Sequence, residues 1–111
     1  MRNDRRAIGR EYEDKAAGHL LGLGYTLVTR RFSVPGGEID IVALDGETLV
    51  FVEVKFRARE APEGAVGWTK SKRMSLAVNA YLDKVGAQGR LTRCDLIAVT
   101  PESIRHYVGV L

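Results

Sequence analysis

The sequence predicts an α/β fold: a mixed central β-sheet of about five strands flanked by helices. Two stretches carry apolar residues at three- and four-residue spacing, while the other apolar runs alternate or are β-branched. Their order is helix, three strands, helix, then one or two strands. The third strand-like run, LVFVEVKFR, is largely apolar on both faces, as a strand covered by protein on each side must be.

The first helix follows from Tyr12, Ala16, Ala17, Leu20, Leu21 and Leu23, and Gly22 or Gly24 ends it. Residues 1–7 before it read as a loose, flexible polar start. Tyr25 to Val34 form the first strand, and Val34-Pro35-Gly36-Gly37 a turn. Glu38 to Leu44 and Thr48 to Arg57 form a hairpin about Asp45-Gly46. Residues 58–67, with Pro62, Gly64 and Gly67 among charges, read as a loop. The second helix runs from about Thr69 to Val85, with Met74, Ala77, Val78, Tyr81 and Leu82 on one side. Gly86 and Gly89 stop it. Leu91 to Thr100 and Ile104 to Val110 complete the sheet.

At 111 residues the chain suits a single domain, 1–111, large enough to bury a core without staples. Its 45% hydrophobic and 28% charged residues weigh against disorder. Cys94 is the only cysteine, which excludes an internal disulfide and a thiolate metal site, and it reads as a small core residue. No stretch approaches the ~18 apolar residues of a membrane span, and the charged N-terminus lacks a signal-peptide core. A cytoplasmic location is therefore expected. The net charge of +3 permits a nucleic-acid partner without demanding one.

The third strand also carries the chemistry. Side chains alternate along it, so Val50, Val52, Val54 and Phe56 fill one face. Leu49, Phe51, Glu53, Lys55 and Arg57 fill the other, and charges there need a reason because unpartnered burial is costly. A two-residue turn at Asp45-Gly46 makes Asp40 the diagonal neighbour of Glu53; a four-residue loop sets the two opposite. Either way they share a face, and Glu38 joins them; only an odd-length loop or a bulge would separate them. Two close carboxylates repel, and a divalent cation resolves the conflict. Mg²⁺ (or Mn²⁺), as one or two ions, takes such oxygens, and the Val54 carbonyl can add another. Lys55 would then stabilise negative charge developing on a phosphodiester. Glu13 lies on the buried stripe of the first helix and Lys70 at the edge of the second.

The run GEIDIVALDGETLVFVEVKFR resembles the PD-(D/E)xK pattern of the restriction-endonuclease-like superfamily, with Asp40 preceding Glu53-Val54-Lys55 on an adjacent strand. From about Gly9 to Thr100 the chain resembles the YraN family of small bacterial proteins, related to archaeal Holliday-junction resolvases. The matching residues include Glu13, Ala16, GEID at Gly37–Asp40, FVEVK at Phe51–Lys55, Lys70, and CDLIAV at Cys94–Val99. The resemblance implies a restriction-endonuclease-like fold and catalysis by Asp40, Glu53 and Lys55. It also implies that Glu13 assists metal binding and that Lys70 contacts substrate or transition state. Arg31 stands where the family is expected to carry an amide residue, and Tyr12 where it carries a small one; neither is expected to touch the metal site.

Other readings stand beside these. Asp40, Glu53 and Lys55 can form a structural ion-pair network, Glu13 can pair with a nearby Arg, and Lys70 can snorkel to water. Asp95 reads as structural support for the sheet, and His19 and His106 as surface residues. Trp68 either stacks on an unpaired base or anchors packing. Arg30, Arg31, Arg57, Arg59, Lys70, Lys72 and Arg73 flank the site in sequence and would hold phosphates if they share a face. The expected activity is Mg²⁺-dependent hydrolysis of DNA, including branched or single-strand-containing forms; the rival is a nucleic-acid-binding module that does not cut. A homodimer is a further expectation, by analogy with the resolvases alone.

Overall fold

The computed structural model describes residues 5–59, 69–87 and 89–111. It contains α1 (Arg5–Gly22), β1 (Thr26–Val34), β2 (Gly37–Asp45), β3 (Thr48–Phe56), α2 (Lys72–Val85), β4 (Thr92–Val99) and β5 (Ile104–Tyr107). The five strands form one sheet in chain order. β3 and β4 are parallel, joined through α2, and the other neighbours are antiparallel. The expected mixed α/β sheet is thus the architecture, although the helix begins at Arg5 within the segment read as loose.

Both helices end where glycine permits it. Gly24, at φ 87°, closes α1, with Tyr25 N–H donating to Leu20 O and Gly24 N–H to Leu21 O. Gly86, at φ 68°, closes α2 by the same pair of bonds, from Ala87 to Leu82 and from Gly86 to Asp83. The second helix starts at Lys72, later than its periodicity suggests, because Ser71 caps it by accepting from Met74 N–H.

Alternation along β3 divides the core. Leu49 and Phe51 pack with Ile39, Met74 and Tyr81 under α2. Val50 and Val52 pack with Ala16, Leu20, Ile41 and Ile97 under α1. Cys94 is buried in the α2 layer, as its setting predicted. The β2–β3 register pairs Asp45 with Thr48 and Leu44 with Leu49. The turn residues are therefore Gly46 and Glu47, one position later than the Asp45-Gly46 turn expected. The reason is Gly46, whose φ of 60° suits the first central position of a two-residue hairpin turn. One rung beyond the last pair, Ile41 with Val52, this register would set Asp40 opposite Glu53 rather than diagonal to it.

Candidate functional site

The β2–β3 ladder stops at Ile41 and Val52. Two residues further along β3, Val54 N–H donates instead to the Asp40 side chain, Oδ2, at 2.7 Å. The Asp40 carboxylate thus occupies the seam where the strands part. In extended backbone a residue's N–H and C=O face the same neighbour. The Val54 carbonyl is therefore directed toward that seam as well.

The parting coincides with a change of face. Ile41 packs under α1, whereas Ile39 packs under α2, so alternation is broken at Asp40. Across the β1–β2 ladder, the pairs Arg30 with Ile41 and Phe32 with Ile39 bracket Arg31, which sits opposite Asp40. Arg31 is the one non-glycine residue at positive φ, 55°, among those described. Both strands turn over at the same rung, where the Asp40 carboxylate reaches Val54 N–H in the β2–β3 seam.

Two cavities of about 300 Å³ flank this point, and Asp40 and Glu38 line both. On the α2 side the wall includes Glu53, Lys55, Ser71 and Arg73. On the α1 side it includes Tyr12, Glu13, Arg31 and Phe56. Lys55 Nζ lies 3.6 Å from Glu53 Oε1, and Arg73 reaches Glu38 at 3.8 Å. Burial, joined by the charges of Glu38, Glu13 and Glu53, raises the Asp40 carboxyl to about 6, and the Val54 N–H offsets only part of this.

The predicted residues are brought together unequally. Asp40, Glu53 and Lys55 share one cavity; Glu13 shares the other with Asp40. Buried Glu13 accepts from Arg30 Nε at 2.9 Å and Arg31 Nε at 3.0 Å, so the alternative of an arginine pair describes its contacts. Lys70 is not placed in either cavity wall; its Nζ lies 3.8 Å from Cys94 Sγ. Arg31 and Tyr12, expected not to touch the metal site, both line the α1-side cavity with Asp40 and are absent from the wall that holds Glu53 and Lys55. Arg31 sits there with a left-handed backbone, and Tyr12 through its stacking on Phe56 at the end of β3. The basic residues divide between sides, Arg30 and Arg31 toward α1 and Arg73 toward α2. Trp68 and most of the 58–67 loop lie outside the described residues.

Sequence reasoning also missed the position of Ser71, although a serine just before the periodic apolar residues signals a helix start. His19 and His106 are corrected too. The His106 side chain is 8% exposed, with Nε2 2.8 Å from Asp95 Oδ2 and Nδ1 3.2 Å from His19 Nε2. Asp95, 0% exposed, also accepts from Arg93 and Gly109 N–H, which makes it the structural support expected. Neither histidine's sequence neighbours reveal this long-range partner.

The donors at the seam suit a hard divalent cation: two carboxylates and a carbonyl, with room for water. Negative charge crowded about Asp40 is what such an ion neutralises. Among the described residues, no group of three or more His, Cys, Asp or Glu side chains could hold a metal, so this fit rests on two carboxylates.

Comparison with known proteins gives a family. The model of the uncharacterised protein family UPF0102 matches residues 12–99. A UPF0102 protein of Marinobacter nauticus is 39% identical over 103 residues, covering 90% of this chain and 84% of its own. One of Carboxydothermus hydrogenoformans is 35% identical, covering 97% and 98%, and one of Geobacter sulfurreducens is 44% identical, covering 84% and 75%. The chain belongs to the uncharacterised protein family UPF0102.

Proposed function

We propose that this protein is a divalent-metal-dependent endonuclease of the restriction-endonuclease-like superfamily, hydrolysing phosphodiester bonds in DNA, branched or single-strand-containing forms included. The observation that carries the reading is Asp40, fixed by Val54 N–H in the seam between β2 and β3 and sharing a cavity with Glu53 and Lys55. Asp40, Glu53 and the Val54 carbonyl would hold Mg²⁺ or Mn²⁺, as one or two ions, with Glu13 as an auxiliary carboxylate. A cation bound there supplies a Lewis acid for a phosphoryl oxygen and lowers the pKa of a bound water.

The side chains do the rest. Lys55 presents an ammonium at the cavity, where it opposes charge developing on the phosphate. The capped N-terminus of α2, with Ser71 and Arg73 in the same wall, offers positive potential to the flanking strand. Lys70, exposed just before that cap, contacts substrate outside the cavity. The test is incubation of pure protein with branched, nicked and linear DNA in Mg²⁺ or Mn²⁺. The wild type should cut, and Asp40→Ala and Lys55→Ala should each lose about 100-fold or more. Unchanged cutting by either variant refutes the assignment.

A second reading, binding of nucleic acid without hydrolysis, draws on the ion pairs: Glu53 already faces Lys55, and Glu13 already holds two arginines. Calorimetric titration separates the two. No heat with millimolar Mg²⁺ or Mn²⁺, together with salt-dependent DNA binding, favours the second.

A further inference from the structure

The α1-side cavity has a feature that metal and phosphate chemistry do not use. Tyr12 and Phe56 stack with ring centroids 4.0 Å apart and planes 17° from parallel. Both line the cavity whose wall also includes Asp40. Phe56 ends β3, three residues past Glu53, and is 40% exposed despite one ring face being covered by Tyr12. The Lys15 ammonium lies 5.8 Å from the Tyr12 ring and makes that ring part of a cation–aromatic–aromatic column. Phe56 is the exposed end of that column, so its outer ring face is a flat apolar floor.

We propose that Tyr12 and Phe56 form a stacking platform for one unpaired nucleobase, held beside the scissile phosphate of a single-stranded or splayed strand. This inference rests on the nuclease reading of the Asp40 seam and names the substrate that seam accepts. The cavity, about 290 Å³, has room for a base. Glu38 in its wall can accept a hydrogen bond from a base N–H group, since Arg30 and Arg31 already occupy Glu13 and Val54 N–H is held by Asp40. Arg31, whose side chain is 44% exposed, offers a cation at the wall for the neighbouring backbone. A base inside intact duplex cannot reach the ring face, so the platform selects strands whose bases are already free.

The test compares two labelled twelve-residue strands, one of thymidines and one of abasic sugars, by fluorescence anisotropy in EDTA. Their phosphates are alike; only the bases differ. Wild-type protein should bind the thymidine strand about tenfold more tightly. Phe56→Leu, which keeps an apolar side chain but no ring, should bring the two affinities within about twofold. Tyr12→Leu should do the same, and Phe56→Trp should restore the preference, which separates stacking from misfolding. Equal wild-type binding to both strands, or a preference that survives in Phe56→Leu, overturns the proposal. Cutting is read separately in Mg²⁺. Base preference without any cutting retains the platform and discards the nuclease reading; cutting without base preference does the reverse.

Discussion

Arg31 lies across the β1–β2 ladder from Asp40, and its backbone is the left-handed rung at which both strands change face. The carboxylate most central to the candidate site is thus positioned partly by a conformation that its partner residue adopts at a cost. Nearby Arg30, in ordinary extended conformation, anchors the same Glu13 from the adjoining rung.

Substitution at Arg31 should therefore depend on backbone preference more than on charge. Asn tolerates positive φ, whereas a β-branched residue does not. The Arg31–Glu13 ion pair has a half-exposed arginine and contributes little. Arg31→Asn is expected to change stability by less than about 1 kcal/mol, and Arg31→Val to cost about 2 kcal/mol or more. Urea denaturation of both variants checks the order.

The raised carboxyl of Asp40 predicts a pH dependence. Its folded value of about 6 exceeds its ordinary 3.8. Stability from this group is therefore complete below pH 4 and lost as pH rises through 6. After allowance for solvent screening, about 1–2 kcal/mol is expected between pH 4 and 7. Asp40→Asn should remove that part of the wild-type profile, and superimposable melting profiles would refute the assignment. Mg²⁺ should stabilise the wild type at pH 7.5 and lose this effect below pH 6, where protons compete for Asp40.

The sheet was legible because its signals are local. Alternation in LVFVEVKFR told the two core layers apart, and Leu49 and Val50 do fall in opposite layers. The seam at Asp40 was not legible. A strict period of two puts Asp40 on Glu53's face alone, yet the change of face gives it a wall in both cavities. That change depends on Arg31, a residue type without a turn preference. His106 was misread for a related reason, since Asp95 reaches it from a neighbouring strand.

Asp95 should be the most costly polar residue to neutralise. Burial alone would raise its carboxyl, but hydrogen bonds from His106, Arg93 and Gly109 N–H hold it at about 2. Its contribution is present above pH 4 and fades as pH falls through 2. An ionised Asp95 only accepts, so His106 donates from Nε2. Asp95→Asn keeps the shape and removes the charge that Arg93 faces inside the fold. A loss of about 3 kcal/mol at pH 7 is expected by chemical denaturation, shrinking toward pH 2. A loss that stays constant across that range would contradict the low carboxyl value.

Gly37 sets the approach of α2 to the site. A Cβ there would meet Ala77 N, Arg73 O and Leu76 Cδ2, each at 2.9 Å. Two of these are backbone atoms of the helix, which must move as a body to make room. Gly37→Ala should cost about 1–3 kcal/mol. It should also displace Ser71 and Arg73 from the wall they share with Asp40. Gly36 supplies the control: its φ of 80° makes alanine strained, but nothing lies within 4 Å of the added carbon. Gly36→Ala should lose about 1 kcal/mol through the turn alone. If the wild type cuts DNA, Gly37→Ala should lose activity at temperatures where it remains folded, while Gly36→Ala retains it. Equal activity of the two variants, measured well below their melting temperatures, would show that the position of α2 does not matter to the site.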